Sequence, residues 1–92
     1  MRVTWKPRAL AQLRDIHTYI AKDNPRAAAA VVERIQAVAA LLATYPLRGR
    51  RTDEADVRTI RAQPYPYRIF YRVDVASHEV RILRLRHDRQ RP

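Results

Sequence analysis

The chain has 92 residues, no cysteine and one glycine, and its 19 basic residues against 9 acidic ones give a net charge of +10. That length fits one small domain spanning 1–92, burying roughly 60–65% of its unfolded surface; the lack of cysteine excludes disulfides and thiolate chemistry and fits a reducing cytoplasm. His17, His78 and His87 lack metal-ligand spacing, so no metal or other cofactor is expected.

Every basic residue except Lys6 and Lys22 is arginine. A GC-rich coding bias raises arginine and alanine together, but it does not explain the excess of positive over negative charge. A surface this rich in guanidinium faces something anionic, either nucleic acid or an acidic protein. The start of the chain has no apolar signal-peptide core. The most apolar stretch, from Ala27 to Ala43, is interrupted by Glu33, Arg34 and Gln36, which makes it an amphipathic helix and not a membrane span.

Arg2-Val3-Thr4-Trp5 has strand composition, and Pro7 suits the first turn of a helix. Leu10, Leu13, Ile16 and Ile20 then mark one face of a helix from about Pro7 to Lys22, flanked by Tyr19. Asn24 as N-cap and Pro25 at the first helical position open a second helix, with Ala28, Val31, Ile35, Val38 and Leu42 as its apolar stripe. Tyr45-Pro46 ends it after about Thr44. The short connection predicts an antiparallel helical hairpin, with alanines at 27–30 and 37–43 allowing close approach.

Gly49, the lone glycine, is expected to supply a positive φ at a turn through Arg48, Arg50 and Arg51. Val57 to Arg61 alternates as a strand, and Gln63 to Pro66 is a loop. In the next strand, running to Val73, Ile69, Tyr71 and Val73 share one face, with Arg68, Phe70 and Arg72 on the other. Asp74 to His78 turn the chain into a last strand from Glu79 to Arg89. There Val80 and Ile82 oppose Leu83 and Leu85, so this strand either lies inside the sheet or contains a bulge. The order β-α-α-β-β-β predicts an α+β fold: an antiparallel sheet with the helical hairpin packed on one face.

This ordered set of words resembles the RelE/ParE superfamily of type II toxin–antitoxin toxins. The resemblance rests on Trp5 and Pro7, Asn24-Pro25, Pro46 with Gly49-Arg50, Val57-Arg58, the strand Tyr67 to Val73, and Ile82-Leu83-Arg84 leading to His87 and Arg89. It implies one of two activities. RelE-like members cleave mRNA in the ribosomal A site; ParE-like members inhibit DNA gyrase and are not nucleases. Fold alone does not choose between them.

Metal-free RNA cleavage needs a base, an acid and cations on the phosphorane. The resemblance implies Arg68, His87 and Arg89 for those roles, with Arg61 assisting. Two departures favour the ParE-like branch. RelE-like chains continue past His-x-Arg to a tyrosine, whereas this one reads Gln90-Arg91-Pro92; and the segment before the third strand, usually lysine-rich, holds Asp53, Glu54 and Asp56. The same residues have plain structural readings. On these readings Arg68 pairs with Asp74 or Glu79 across the hairpin, His87 is an exposed strand-end residue, and Trp5 packs the core. Tyr65 and Tyr67 either cover the sheet edge or stack on a base, and His17 is a helix-surface residue.

The resemblance also implies a cognate acidic antitoxin, ParD-like and carrying a DNA-binding domain, with DNA gyrase as target, or ribosome and mRNA in the alternative; no membrane is involved. A third possibility is a family member that has lost its toxicity and only binds an antitoxin. Arg58, Arg61, Arg68, Arg72, Arg84, Arg86 and Arg89 are the expected contacts for target or antitoxin. Carboxylates meeting them would speed encounter more than deepen affinity.

Overall fold

In a computed structural model that describes residues 1–89, the chain runs β1 (Arg2–Trp5), α1 (Pro7–Ala21), α2 (Pro25–Leu41), β2 (Arg50–Arg51), β3 (Val57–Arg61), β4 (Tyr67–Asp74) and β5 (Glu79–His87). The ending Gln90-Arg91-Pro92 lies outside the described residues. Pro7 opens α1. Asn24 caps α2 as expected, its Oδ1 accepting from the Ala27 N–H at 3.0 Å. After Leu41 the helix tightens: the N–H groups of Leu42, Ala43 and Thr44 bond three residues back, before Pro46 diverts the chain.

The sheet order is β1-β5-β4-β3-β2. The last three strands and β2 are antiparallel neighbours, whereas β1 lies parallel to β5. A parallel neighbour requires a crossover, and the two helices supply it. Two features differ from the sequence expectation: this parallel edge, and β2, where Arg50 and Arg51 form a two-residue edge strand instead of a simple turn. Two residues carry no readable periodicity.

The hairpin α1–α2 covers one sheet face. Val31, Ile35 and Val38 from α2 and Leu42 at its C-cap meet Ile69, Tyr71, Val80, Ile82 and Leu85 from the sheet, all of them buried. Leu13 joins them from α1, but Leu10 stays 45% exposed, since Ala9 takes the inward position at that level. Of the alanines in α2, Ala28 and Ala39 are fully buried where elements meet.

The two-sided apolar pattern of β5 has both of its possible causes. The strand lies between β1 and β4, and it contains a bulge: Phe70 faces Arg84 and Tyr71 faces Ile82, leaving Leu83 unopposed. The extra residue returns Leu85 to the helix side with Val80 and Ile82. It also sets Arg84 and Arg86 on the open side beside Phe70.

Gly49 does not have a positive φ; among the described residues those backbones are Asp56 (φ 60°) and His78 (φ 55°). The glycine is needed for space. A Cβ there would sit 2.7 Å from the Tyr71 hydroxyl and 2.8 Å from the Thr59 carbonyl oxygen. The Gly49 N–H donates to Tyr71 Oη at 2.8 Å, and that hydroxyl donates to the Pro46 carbonyl at 2.8 Å. Burial raises the Tyr71 pKa above its ordinary value, against the lowering effects of the Gly49 N–H and of Arg58.

Candidate functional site: the open sheet face

Strand alternation places Arg68, Phe70 and Arg72 of β4, Thr59 and Arg61 of β3, and Arg81, Arg84 and Arg86 of β5 on the face away from the helices. Arg84 and Arg86 bring their guanidinium carbons to 4.5 and 4.7 Å from the Phe70 ring centroid, within cation–π range. Phe70 is thereby buried outside the main core.

Most of these cations already hold a carboxylate. Asp88 meets Arg68 at 3.0 Å and Arg61 at 3.3 Å. Glu54, in the loop before β3, reaches Arg84 at 3.0 Å. Arg81 binds Asp74 at 2.8 Å and Glu79 at 2.6 Å, and Arg2 adds a second cation to Glu79 at 2.9 Å. Arg68 therefore pairs with Asp88, and not with Asp74 or Glu79 across the hairpin. The reason is geometric: Arg68 sits at the far end of β4 from that turn, opposite Arg86, whereas Asp74 and Glu79 are register partners beside it.

Both turn carboxylates titrate below their usual range. For Asp74 the first cause is the Ser77 N–H, then the Ser77 hydroxyl, with Arg81 adding to them; for Glu79 it is the hydrogen bond from Arg2, then Arg81. A depressed folded-state pKa gives stability that is fully present above the unfolded value of about 4. It is lost as pH falls through the folded values. Urea midpoints of the wild-type and Glu79→Gln chains should therefore differ at pH 7 and converge as the pH falls below the ordinary carboxylate range. A gap constant with pH would remove the electrostatic account.

The other expected contacts lie elsewhere. Arg58 points to the helix side of β3, donating to the Gly49 carbonyl at 2.8 Å, so it anchors the chain leading into β2. His87 also lies on the helix side, edge-on to Tyr67 with ring centroids 5.0 Å apart. It lines a cavity of about 670 Å³ with Gln12, Asp15, Tyr19 and Arg89. Its Nδ1 accepts from the Arg89 N–H at 3.0 Å. Tyr67 in that wall has a raised pKa, first from burial and then from Tyr19. Arg68 and His87 thus address opposite faces of the sheet. Trp5 packs against the core, and His17 is an exposed surface residue of α1.

Sequence reasoning missed Arg81, Glu54 and Asp88 as constituents of this face. Only the pairing register shows which acids reach which arginines. Among the described residues no group of His, Asp and Glu is arranged to hold a metal ion, and no helix is long and apolar enough to cross a membrane.

The family model for the ParE toxin of the type II toxin–antitoxin system parDE matches residues 3–92. The chain belongs to the ParE toxin family. Relatives of this ParE-family chain include the Y4kP protein of Sinorhizobium fredii, 42% identical across 97% of this chain and 90% of that one. Toxin RelE2 of Caulobacter vibrioides is 37% identical across 94% and 93%. Among solved structures, a chain of the chromosomal ParDE system of P. aeruginosa superimposes with a TM-score of 0.81 at 27% identity, covering 95% of each chain. The two-helix, five-stranded α+β architecture is thus that of the ParE and RelE toxins.

Proposed function

We propose that this ParE-family toxin inhibits DNA gyrase by protein–protein contact and is neutralised by a cognate acidic antitoxin. The match to the ParE model across residues 3–92 carries the reading. The resemblance supplies the target, since ParE-like members act on gyrase. The P. aeruginosa relative belongs to a ParDE toxin–antitoxin system, which supports an antitoxin partner. The net charge of +10 suits an acidic one.

The geometry gives a nuclease little support. Phosphoryl transfer needs base, acid and cations around one phosphate. Here Arg68 and His87 lie on opposite sides of β4 and β5, and Asp88 occupies the Arg68 and Arg61 guanidinium groups. A phosphate approaching them would be repelled by that carboxylate and by Glu54, which lines the same cavity as Arg68.

The test is a pair of purified reactions. The toxin should reduce supercoiling by gyrase at a concentration that leaves message intact in a reconstituted translation mixture. Message cleavage that disappears in the Arg68→Ala, His87→Ala double variant would instead establish the ribosome-dependent endoribonuclease.

A further inference from the structure

The open sheet face holds a cavity of about 470 Å³ between β2, the loop 52–56, and strands β3 to β5. Thr59 and Phe70, register partners, lie in its wall. Thr59 is 5% exposed, yet its Oγ1 has no hydrogen-bond partner among the described residues. The buried Nε atoms of Arg86 and Arg72, on the same face, also have none. Buried polar groups are nearly always paired, and each unpaired one is costly. Of these atoms, Thr59 Oγ1 and Arg86 Nε belong to residues that line the one cavity, each atom with a proton to give and no acceptor among the described residues.

The acceptor they fit is a single carboxylate, and the chain offers an example at the rim. Glu54 Oε1 accepts from Arg84 Nη2 at 3.0 Å while its side chain remains half exposed. Its loop is closed at the base, where the Thr52 N–H and Oγ1 both donate to the Val57 carbonyl at 3.0 and 2.9 Å and the Val57 N–H donates to the Glu54 carbonyl at 3.1 Å, so release of Arg84 asks only the Glu54 side chain to move. A polynucleotide would bring a charge with every residue past Asp53, Glu54 and Asp88. One carboxylate avoids that repulsion by taking the place of Glu54.

We propose that this cavity is a carboxylate subsite for an acidic side chain of the antitoxin, with Glu54 as its internal competitor. The inference rests on the antitoxin reading above. In the complex, the incoming carboxylate accepts from Thr59 Oγ1 and Arg86, and Glu54 gives up Arg84 to it. The acidic loop then acts as a guard, weakening capture of anions that cannot reach Thr59.

Full-length protein titrated with fluorescein-labelled hexaglutamate tests the subsite without any antitoxin. Glu54→Gln should bind the peptide at least threefold more tightly than the charge-matched control Asp23→Asn. Adding Thr59→Val to Glu54→Gln should lower affinity at least threefold while leaving the melting temperature equal or higher, since an unpartnered hydroxyl gives way to a methyl group. Equal affinities in either comparison overturn the subsite. Hexauridylate bound more tightly than the peptide, and weakened by Thr59→Val, overturns the carboxylate assignment in favour of RNA. The antitoxin is tested separately with the acidic protein encoded beside this chain. Binding that the Thr59→Val change leaves untouched overturns the subsite but not the partner. No binding by that protein, alongside the expected peptide results, overturns the antitoxin as occupant.

Discussion

Gly49→Ala is expected to lower stability by about 3 kcal/mol, at the upper end of the usual range for overpacking. The added methyl group would press on the Thr59 carbonyl oxygen at 2.8 Å and on the Tyr71 ring at the same distance. Neither neighbour is free to move. Thr59 is held in the ladder between β2 and β4, and Tyr71 is fully buried with its hydroxyl fixed between Gly49 and Pro46. In a domain of this size such a loss lowers the melting temperature by roughly 15 °C, readable by circular dichroism. Tyr71→Phe should cost about 1–3 kcal/mol, because it strands the Gly49 N–H and the Pro46 carbonyl. The double variant should cost less than the sum, since deleting the hydroxyl relieves part of the clash. Strict additivity would show that the two residues do not share one constraint.

Ile35→Ala should be comparably severe, at about 3–4 kcal/mol. Ile35 is fully buried in the middle of α2, within the cluster that joins the helical hairpin to the sheet. The backbone on either side is held by two helices and five strands, so the vacated space collapses only in part. A chain of 92 residues has a total margin of about 5–14 kcal/mol, so this one change removes a large fraction of it. Urea unfolding should show a lower midpoint at an unchanged slope. A saturating partner that binds only the folded state should restore much of the loss.

Both predictions depend on contacts with very different visibility in the chain. Ile35 was legible because helical periodicity puts it on the stripe with Val31, Val38 and Leu42. Asn24-Pro25 was legible for a local reason, since cap and first turn are decided within four residues. The alternation Ile69, Tyr71, Val73 against Arg68, Phe70, Arg72 assigned the two faces of β4 correctly. Gly49 misled, because a lone glycine has two physical uses, and close approach to Tyr71, 22 residues away, leaves no local trace. The same limit applies to the open face. Arginines were countable, but the reach of Asp88 to Arg68, and of Glu54 to Arg84, is set by register and a loop conformation. The resemblance to RelE-like chains groups His87 with Arg68, and neither residue type nor spacing shows which face of the sheet each side chain takes. Pairing with Tyr67, on the helix side of the sheet, separates them.

The unopposed Leu83 has a consequence for how this scaffold accepts changes in length. Removing it would leave Ile82, Arg84, Leu85 and Arg86 alternating as an ordinary ladder, each still facing the side it faces now. A single-codon deletion in an interior strand, elsewhere a sure way to turn a sheet inside out, would here only straighten the ribbon and relax its coil. Loss of a residue, usually tolerated only in loops, is thus accommodated at this position in the middle of the sheet.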